Sequence, residues 1–177
     1  MPAPQLLTRA DIEEALRLLG EWARADGKPL EIMVIGGTAM LLGFDARSST
    51  KDVDYAALPS TDNAYLRQLG LRLAEQFDWN DGWLNDAAKG FLYTQSIGPV
   101  VYETSGIRVI RPTTAQLLAM KLAAWRDEVD IQDAGLLLDS LQAANAEDVW
   151  NQCKGFLIPG SELKARYALD DLWQHRG

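Results

Sequence analysis

The chain has 177 residues and a formal net charge of −8, enough for one domain or a catalytic half joined to a helical half, and its acidic balance excludes a surface that grips nucleic acid everywhere through phosphate neutralisation. An apolar share of 47% with 24% charged residues describes a folded globular chain, with no apolar run near the roughly 18–20 residues of a bilayer span and no basic-then-apolar leader, so the expected location is the cytoplasm, with no membrane partner. The single cysteine, Cys153, excludes an intramolecular disulfide and a thiol zinc cluster and reads as core filler, while the single histidine, His175, stands two residues before the last, where a histidine base or metal ligand is poorly held.

Thr8 with Asp11 three positions on resembles a capping box, and Ile12, Leu16 and Leu19 then recur at helical spacing, predicting a helix over 10–25 that Gly27 and Pro29 end. The apolar run 31–35 predicts a buried strand, and Gly36-Gly37 turn it into a short helix. Asp52-Val53-Asp54-Tyr55-Ala56 alternates polar and apolar, as a strand with one wet face does. Thr61 is expected to cap a helix reaching Phe77, and 78–90 to form a loop with aromatic anchors. Strands over 91–94, 100–103 and 107–110 are expected as a meander turning at Ser105-Gly106. After Pro112 the periodicity becomes helical, with a first helix through Leu117 to Ala124, a second through Ile131 to Leu141, and two more around the break at Pro159-Gly160-Ser161. The predicted fold is α+β: a mixed β-sheet core flanked by helices over 1–112, followed by a C-terminal helical bundle over 113–177 packed on it.

A strand that ends in Gly36-Gly37 and opens a helix brings backbone N–H groups close to a phosphate, because glycine carries no Cβ and the helix N-terminus is partly positive. Taken alone, that turn is more often a tight connection. Asp52 and Asp54, two apart on a strand, project to one face; two adjacent anions make sense around a hard divalent cation such as Mg²⁺ or Mn²⁺, and the same pattern also occurs on plain solvated strands. Fifteen positions separate Gly37 from Asp52, room for one short helix and a return that sets the turn beside the acidic strand.

Val34-Ile35-Gly36-Gly37-Thr38-Ala39, then Arg47, Thr50 and Asp52-Val53-Asp54-Tyr55, resemble the first motifs of the DNA-polymerase-β-like nucleotidyltransferase superfamily, above all its small bacterial branches of uncharacterised and abortive-infection, toxin–antitoxin type. Trp83-Leu84-Asn85-Asp86 with Lys89-Gly90-Phe91 is similar to a loop motif of these proteins, and Leu117 to Ala124 with Arg126, Asp127, Asp130 and Asp133 to their signature helix pair. The resemblance covers about residues 30–140.

It implies transfer of a nucleotidyl group from a nucleoside triphosphate to RNA, tRNA or a protein acceptor, with Mg²⁺ or Mn²⁺ held by Asp52 and Asp54 as catalytic and metal residues. Gly36, Gly37, Thr38, Arg47, Thr50 and Lys121 become the nucleotide-binding set. Lys121 sits inside an apolar helix, where its ammonium either meets a phosphate in a polar cleft or snorkels to solvent. Arg47 either clamps a phosphate or is a plain surface arginine. Other members of the superfamily add a third carboxylate on a later strand, and Ile107 to Arg111 contains none. Glu103, Asp130 and Asp133 are the candidates for that acid, the latter two also reading as a capping or solvated pair on one helix face. Arg108, Arg111, Lys121 and Arg126, with Lys89, are expected as a local basic strip for RNA. The rival expectation is a catalytically weak or inactive nucleotide-binding module of the same fold, docking an antitoxin or other partner through its helical half, with some of the six tryptophans exposed for that contact. A plain α+β domain with a fortuitous motif is the third.

Overall fold

The structure, a computed structural model, describes residues 5–176. They divide into two compact units, residues 5–89 with 99–111 and residues 90–98 with 112–176. The division assigns 90–98 to the helical unit, whereas the sequence reading kept that stretch with the first part of the chain.

The first unit opens with a two-residue strand, β1 (Leu7–Thr8), and helix α1 (Arg9–Ala25). The capping box is formed: Thr8 Oγ1 accepts from the Asp11 amide at 3.2 Å and Asp11 Oδ2 accepts from the Thr8 amide at 2.8 Å. This satisfies two of the donors that a helix start leaves open. Ile12, Ala15, Leu16, Leu19, Gly20 and Ala23 form its buried face, the three-and-four spacing of an amphipathic helix. Strand β2 (Leu30–Ile35) follows, buried along nearly its whole length, then helix α2 (Gly36–Phe44).

Strand β3 (Ser49–Thr50) pairs antiparallel with β1, Leu7 facing Thr50, and so ties the start of α1 to the segment entering β4 (Val53–Ala57). Helix α3 (Asn63–Phe77), strand β5 (Leu84–Asn85), and a hairpin of β6 (Val100–Glu103) and β7 (Ile107–Ile110) complete the unit. The mixed five-stranded sheet runs β5-β4-β2-β7-β6. β2 at its centre is antiparallel to β4 and parallel to β7, while β5 runs parallel to β4. A strand flanked on both sides and covered on both faces reads as a continuous apolar run, which is why 31–35 was legible.

Three sequence expectations change here. Asp62, not Thr61, caps α3: Asp62 Oδ1 accepts from the Tyr65 amide at 3.1 Å, because the Thr61 hydroxyl bonds the Glu31 carbonyl at 2.8 Å and the Glu31 amide at 2.7 Å. Residues 78–90 are less irregular than a loop, with a 3-10 turn over Asp81–Trp83, strand β5, and a second 3-10 turn over Ala87–Phe91. The expected strand over 91–94 is absent from the described sheet; its backbone is held by side chains in the second unit. Ser96 N donates to Gln116 Oε1 at 2.8 Å, and Gln116 Nε2 donates to the Thr94 carbonyl. At the turn before β7, a Cβ on Gly106 would lie 1.8 Å from the Gly20 carbonyl oxygen, so α1 and the hairpin meet backbone to backbone, a contact open only to glycine at 106.

The second unit contains α4 (Thr114–Ala124), α5 (Glu128–Ser140), α6 (Ala146–Cys153) and α7 (Glu162–His175), with α4 touching the other three. Thr113, Asp127 and Asn145 cap the first three helices. Cys153 is buried, and burial pushes its thiol up to about 12, so it is inert packing at neutral pH. Among the described residues no helix is long and apolar enough to cross a membrane.

Candidate functional site

The β2–β4 register sets Ile35 against Asp54, so the end of one strand delivers the Gly36-Gly37 turn to the acidic start of the other. Gly36 has φ 60°, in the left-handed region that glycine enters without cost. A Cβ on Gly36 would lie 3.2 Å from Asp54 Oδ2, and one on Gly37 would lie 2.8 Å from Thr50 Oγ1 and 2.9 Å from Arg47 Nη1. Gly36, Gly37, Arg47, Thr50 and Asp54 therefore converge, and both glycines are needed for that approach. The N-cap position of α2, Ile35, makes no side-chain cap hydrogen bond, leaving the positive end of that helix to other partners beside an aspartate.

Asp54 lies in β4 with Val53 buried on the opposite face, and Asp52 stands just before the strand, half-buried and close enough for its charge to act on Asp54. Burial raises the Asp52 carboxyl above the ordinary carboxylate value, with nearby Lys51 acting against it. Burial, and then the charge of Asp52, push Asp54 to about 6. The forces on Asp54 thus oppose its ionisation.

Thr38 and Thr50 do something other than hold phosphate. Their hydroxyls donate to the Asp52 carbonyl at 3.1 and 3.2 Å. A hydroxyl has one proton to give, so both fix the acidic strand's backbone, and Thr38 is itself buried.

Glu103 does not join the pair. It faces Arg108, which faces Glu31, placing it at the opposite end of the sheet, roughly 13 Å along β2 and three strand spacings across. There it lines a groove of about 510 Å³ with Lys28, Glu31, Tyr65, Gly106 and Arg108, a cavity that includes none of the converging residues above.

Lys121, Asp130 and Asp133 belong to the second unit and pair with one another. Lys121 Nζ lies 3.2 Å from Asp130 Oδ1 and 2.8 Å from Asp133 Oδ2, with its side chain 12% exposed. Burial would raise Asp130, but hydrogen bonds from the side chain and backbone of Arg126, and the charge of Lys121, hold it below the ordinary carboxylate value. The ammonium neither snorkels nor waits for a phosphate; internal carboxylates neutralise it.

The expected basic strip is also spent internally. Lys89 pairs with Asp86 at 3.2 Å, Arg108 with Glu31 at 3.3 Å and Arg126 with Asp130 at 3.1 Å, while Arg111 is buried with its guanidinium 4.4 Å from the Phe44 ring centre. No tryptophan is fully exposed; Arg72, Arg166 and Arg176 lie over Trp22, Trp150 and Trp173, cation–π contacts that occupy their faces.

The sequence reading named Trp83-Leu84-Asn85-Asp86 as a loop motif and drew no site residue from it. Asn85 of β5 sits in register with Asp54. Behind it, Asp86 accepts from Asn63 Nδ2 at 2.7 Å, Arg67 Nη2 at 2.5 Å and Lys89 Nζ at 3.2 Å, and the Tyr55 hydroxyl donates to Asn63 Oδ1 at 2.7 Å. Although desolvation opposes it, this set of donors, led by Arg67, lowers the Asp86 carboxyl to about 2. Trp83 is buried with Nε1 donating to the Gly70 carbonyl at 2.9 Å. The motif Trp83-Leu84-Asn85-Asp86 is thus a pair of anchors around Asn85, and alternation along a two-residue strand is too short a signal to reveal it.

Among the described residues no three His, Cys, Asp or Glu side chains gather as a metal-ligand group. Comparison of the chain with protein-family models, with curated proteins and with solved structures gives no match.

Proposed function

We propose that the first unit carries a nucleotide site and that the protein moves a nucleotidyl group from a nucleoside triphosphate to an acceptor hydroxyl on RNA, tRNA or a protein, in a toxin–antitoxin setting. The observation that carries this reading is the approach of the Gly36-Gly37 turn to Asp54, 3.2 Å from where a Gly36 Cβ would stand. An uncapped helix start and an acidic strand meet there. The first suits anionic phosphate oxygens, and the second suits a hard cation that accompanies them.

The donor set fits Mg²⁺ or Mn²⁺: two hard carboxylates at the start of β4, both raised by burial and Asp54 also by the charge of Asp52, are what a divalent cation relieves. Such a cation, when bound, offsets triphosphate charge and stabilises the entering and leaving oxygens. The chain's own parts have separate tasks. The α2 start receives phosphate, Arg47 beside Gly37 supplies a guanidinium fork, and Thr38 and Thr50 hold the Asp52 backbone in place. The acceptor hydroxyl gives up its proton to solvent, and its oxygen forms its bond to the α-phosphorus as the bond to pyrophosphate breaks.

Calorimetry of nucleoside triphosphates with and without Mg²⁺, on the natural chain and an Asp52→Ala/Asp54→Ala double variant, tests this reading. Metal-dependent binding that disappears in the double variant is expected, followed by transfer of labelled nucleotide to RNA; a natural chain that binds no triphosphate under any metal condition overturns it.

A second reading has one observation in its favour. The strands beside β4 offer Ile35 and Asn85 opposite Asp54, neither of them an acid. A module that binds nucleotide without transferring it, and docks a partner, would show the binding above with no pyrophosphate released.

A further inference from the structure

We propose that Asn85 is a third ligand-contacting side chain of this site, its carboxamide nitrogen donating to a phosphate oxygen of the triphosphate held beside Asp52 and Asp54. This rests on reading the site as a nucleotide site.

Four observations lead to it. Asp54 and Asn85 are register partners in the parallel β4–β5 pair, and residues in register on neighbouring strands, about 4.8 Å apart, project to the same face. The Asn85 side chain therefore leaves the sheet beside the Asp54 carboxylate, while Leu84, the partner of Val53, leaves on the other face.

Second, one end of the carboxamide is already assigned. The Ala87 amide lies 2.8 Å from Asn85 Oδ1, and an N–H can only donate, so the atom facing it is the oxygen. The NH₂ group, on the opposite side of the planar carboxamide, is turned away from the 85–87 turn and keeps its two protons for another partner.

Third, the position is held from both neighbours in sequence. Trp83 is locked through the Gly70 carbonyl and Asp86 through Asn63, Arg67 and Lys89. Three donors and a buried indole are a large investment around a two-residue strand whose central product is the placement of Asn85.

Fourth, a donor complements the acceptors on this side of Asp54, across β4 from the Gly36-Gly37 turn. Asp52 and Asp54 offer acceptors only, and the Thr38 and Thr50 protons go to the Asp52 carbonyl. Two aspartates repel a phosphate directly; a neutral NH₂ group alongside them meets its oxygens without adding charge.

The test uses the full chain and the variants Asn85→Asp and Asn85→Ala, with ATP, GTP, CTP and UTP as probes at saturating Mg²⁺, Mn²⁺ titration without nucleotide, and circular dichroism to confirm folding. Asn85→Asp keeps an acceptor for the Ala87 amide and replaces the outward donor by a carboxylate beside Asp54. Triphosphate affinity is expected to fall about tenfold or more in both variants, the loss of a hydrogen bond to a charged group. Mn²⁺ affinity without nucleotide is expected to rise in Asn85→Asp alone.

If Asn85 only shapes the 85–87 turn, Asn85→Asp retains triphosphate affinity and Asn85→Ala does not, which overturns the inference. Folded variants that both bind triphosphate within about twofold of the natural chain overturn it as well. A natural chain that binds neither Mn²⁺ nor any triphosphate removes the nucleotide reading, and this inference with it, a result distinct from binding that Asn85 variants leave unchanged.

Discussion

Replacing Asp54 by Asn should stabilise the metal-free protein, and only at neutral pH. Burial and the neighbouring charge of Asp52 raise Asp54 from 3.8 to about 6, so the folded state resists its ionisation more than the unfolded chain does. Below about pH 4 the group is protonated in both states and costs nothing. As pH rises through 6 the unfolded chain has already ionised, and the folded state carries the whole penalty. A shift of about two units corresponds to almost 3 kcal/mol for a fully buried group; Asp54 is only partly shielded, so solvent screening reduces this to about 1–2 kcal/mol.

Urea unfolding in EDTA should thus show Asp54→Asn more stable than the natural chain by about 1–2 kcal/mol at pH 7.5, with the gain shrinking towards zero near pH 4. Excess Mg²⁺ should then stabilise the natural chain and leave Asp54→Asn unmoved, because a ligand that binds only the folded state shifts unfolding by mass action. A variant no more stable than the natural chain at pH 7.5, or a gain of equal size at both pH values, refutes the electrostatic argument.

Gly36→Ala places a Cβ at φ 60° and 3.2 Å from Asp54 Oδ2; a loss of about 1–2 kcal/mol in urea unfolding is expected from the left-handed backbone, with Mg²⁺-dependent triphosphate binding abolished in calorimetry. Lys121→Met strips Asp130 and Asp133 of their shared ammonium while Arg126 still holds Asp130, and should cost about 1–3 kcal/mol by chemical denaturation. The Asp130 carboxyl, held below its ordinary value, should lend the natural chain stability that is full above pH 4 and disappears on acidification below it, measurable as a falling urea midpoint. Trp83→Phe removes the indole donor to the Gly70 carbonyl, which keeps its helical partner within α3, and should lower stability by about 0.5–1.5 kcal/mol, measured by urea unfolding.

The parts of this molecule that sequence revealed are those whose cause is local. The Thr8–Asp11 capping box involves residues three apart, β2 declares itself by unbroken apolarity, and the glycine turn and Asp52/Asp54 pair are defined by spacing. What stayed hidden depends on which distant group a polar side chain finds. Thr61 resembles a cap but bonds β2 at Glu31, leaving Asp62 to cap α3. Lys121 looks stranded in an apolar helix until α5 supplies Asp130 and Asp133. Thr38, two positions into α2, gives its hydroxyl proton to the Asp52 carbonyl fourteen residues on. Residues 91–94 have strand-like composition, yet Gln116, more than twenty positions on, takes the Thr94 carbonyl. Asn85 is meaningful only through its register with Asp54.

The path of the chain between its two units bears on how the molecule is made. Residues 90–98 belong to the helical unit and 99–111 return to the sheet, so neither unit is a continuous stretch of polypeptide. During synthesis, which proceeds at about 5–20 residues per second, the central strand β2 emerges well before β7, its parallel partner. Residues 94–96 likewise await Thr113 and Gln116. Stopping translation at residue 98 leaves the sheet without its hairpin, and stopping at 112 leaves 90–98 without the residues that hold it.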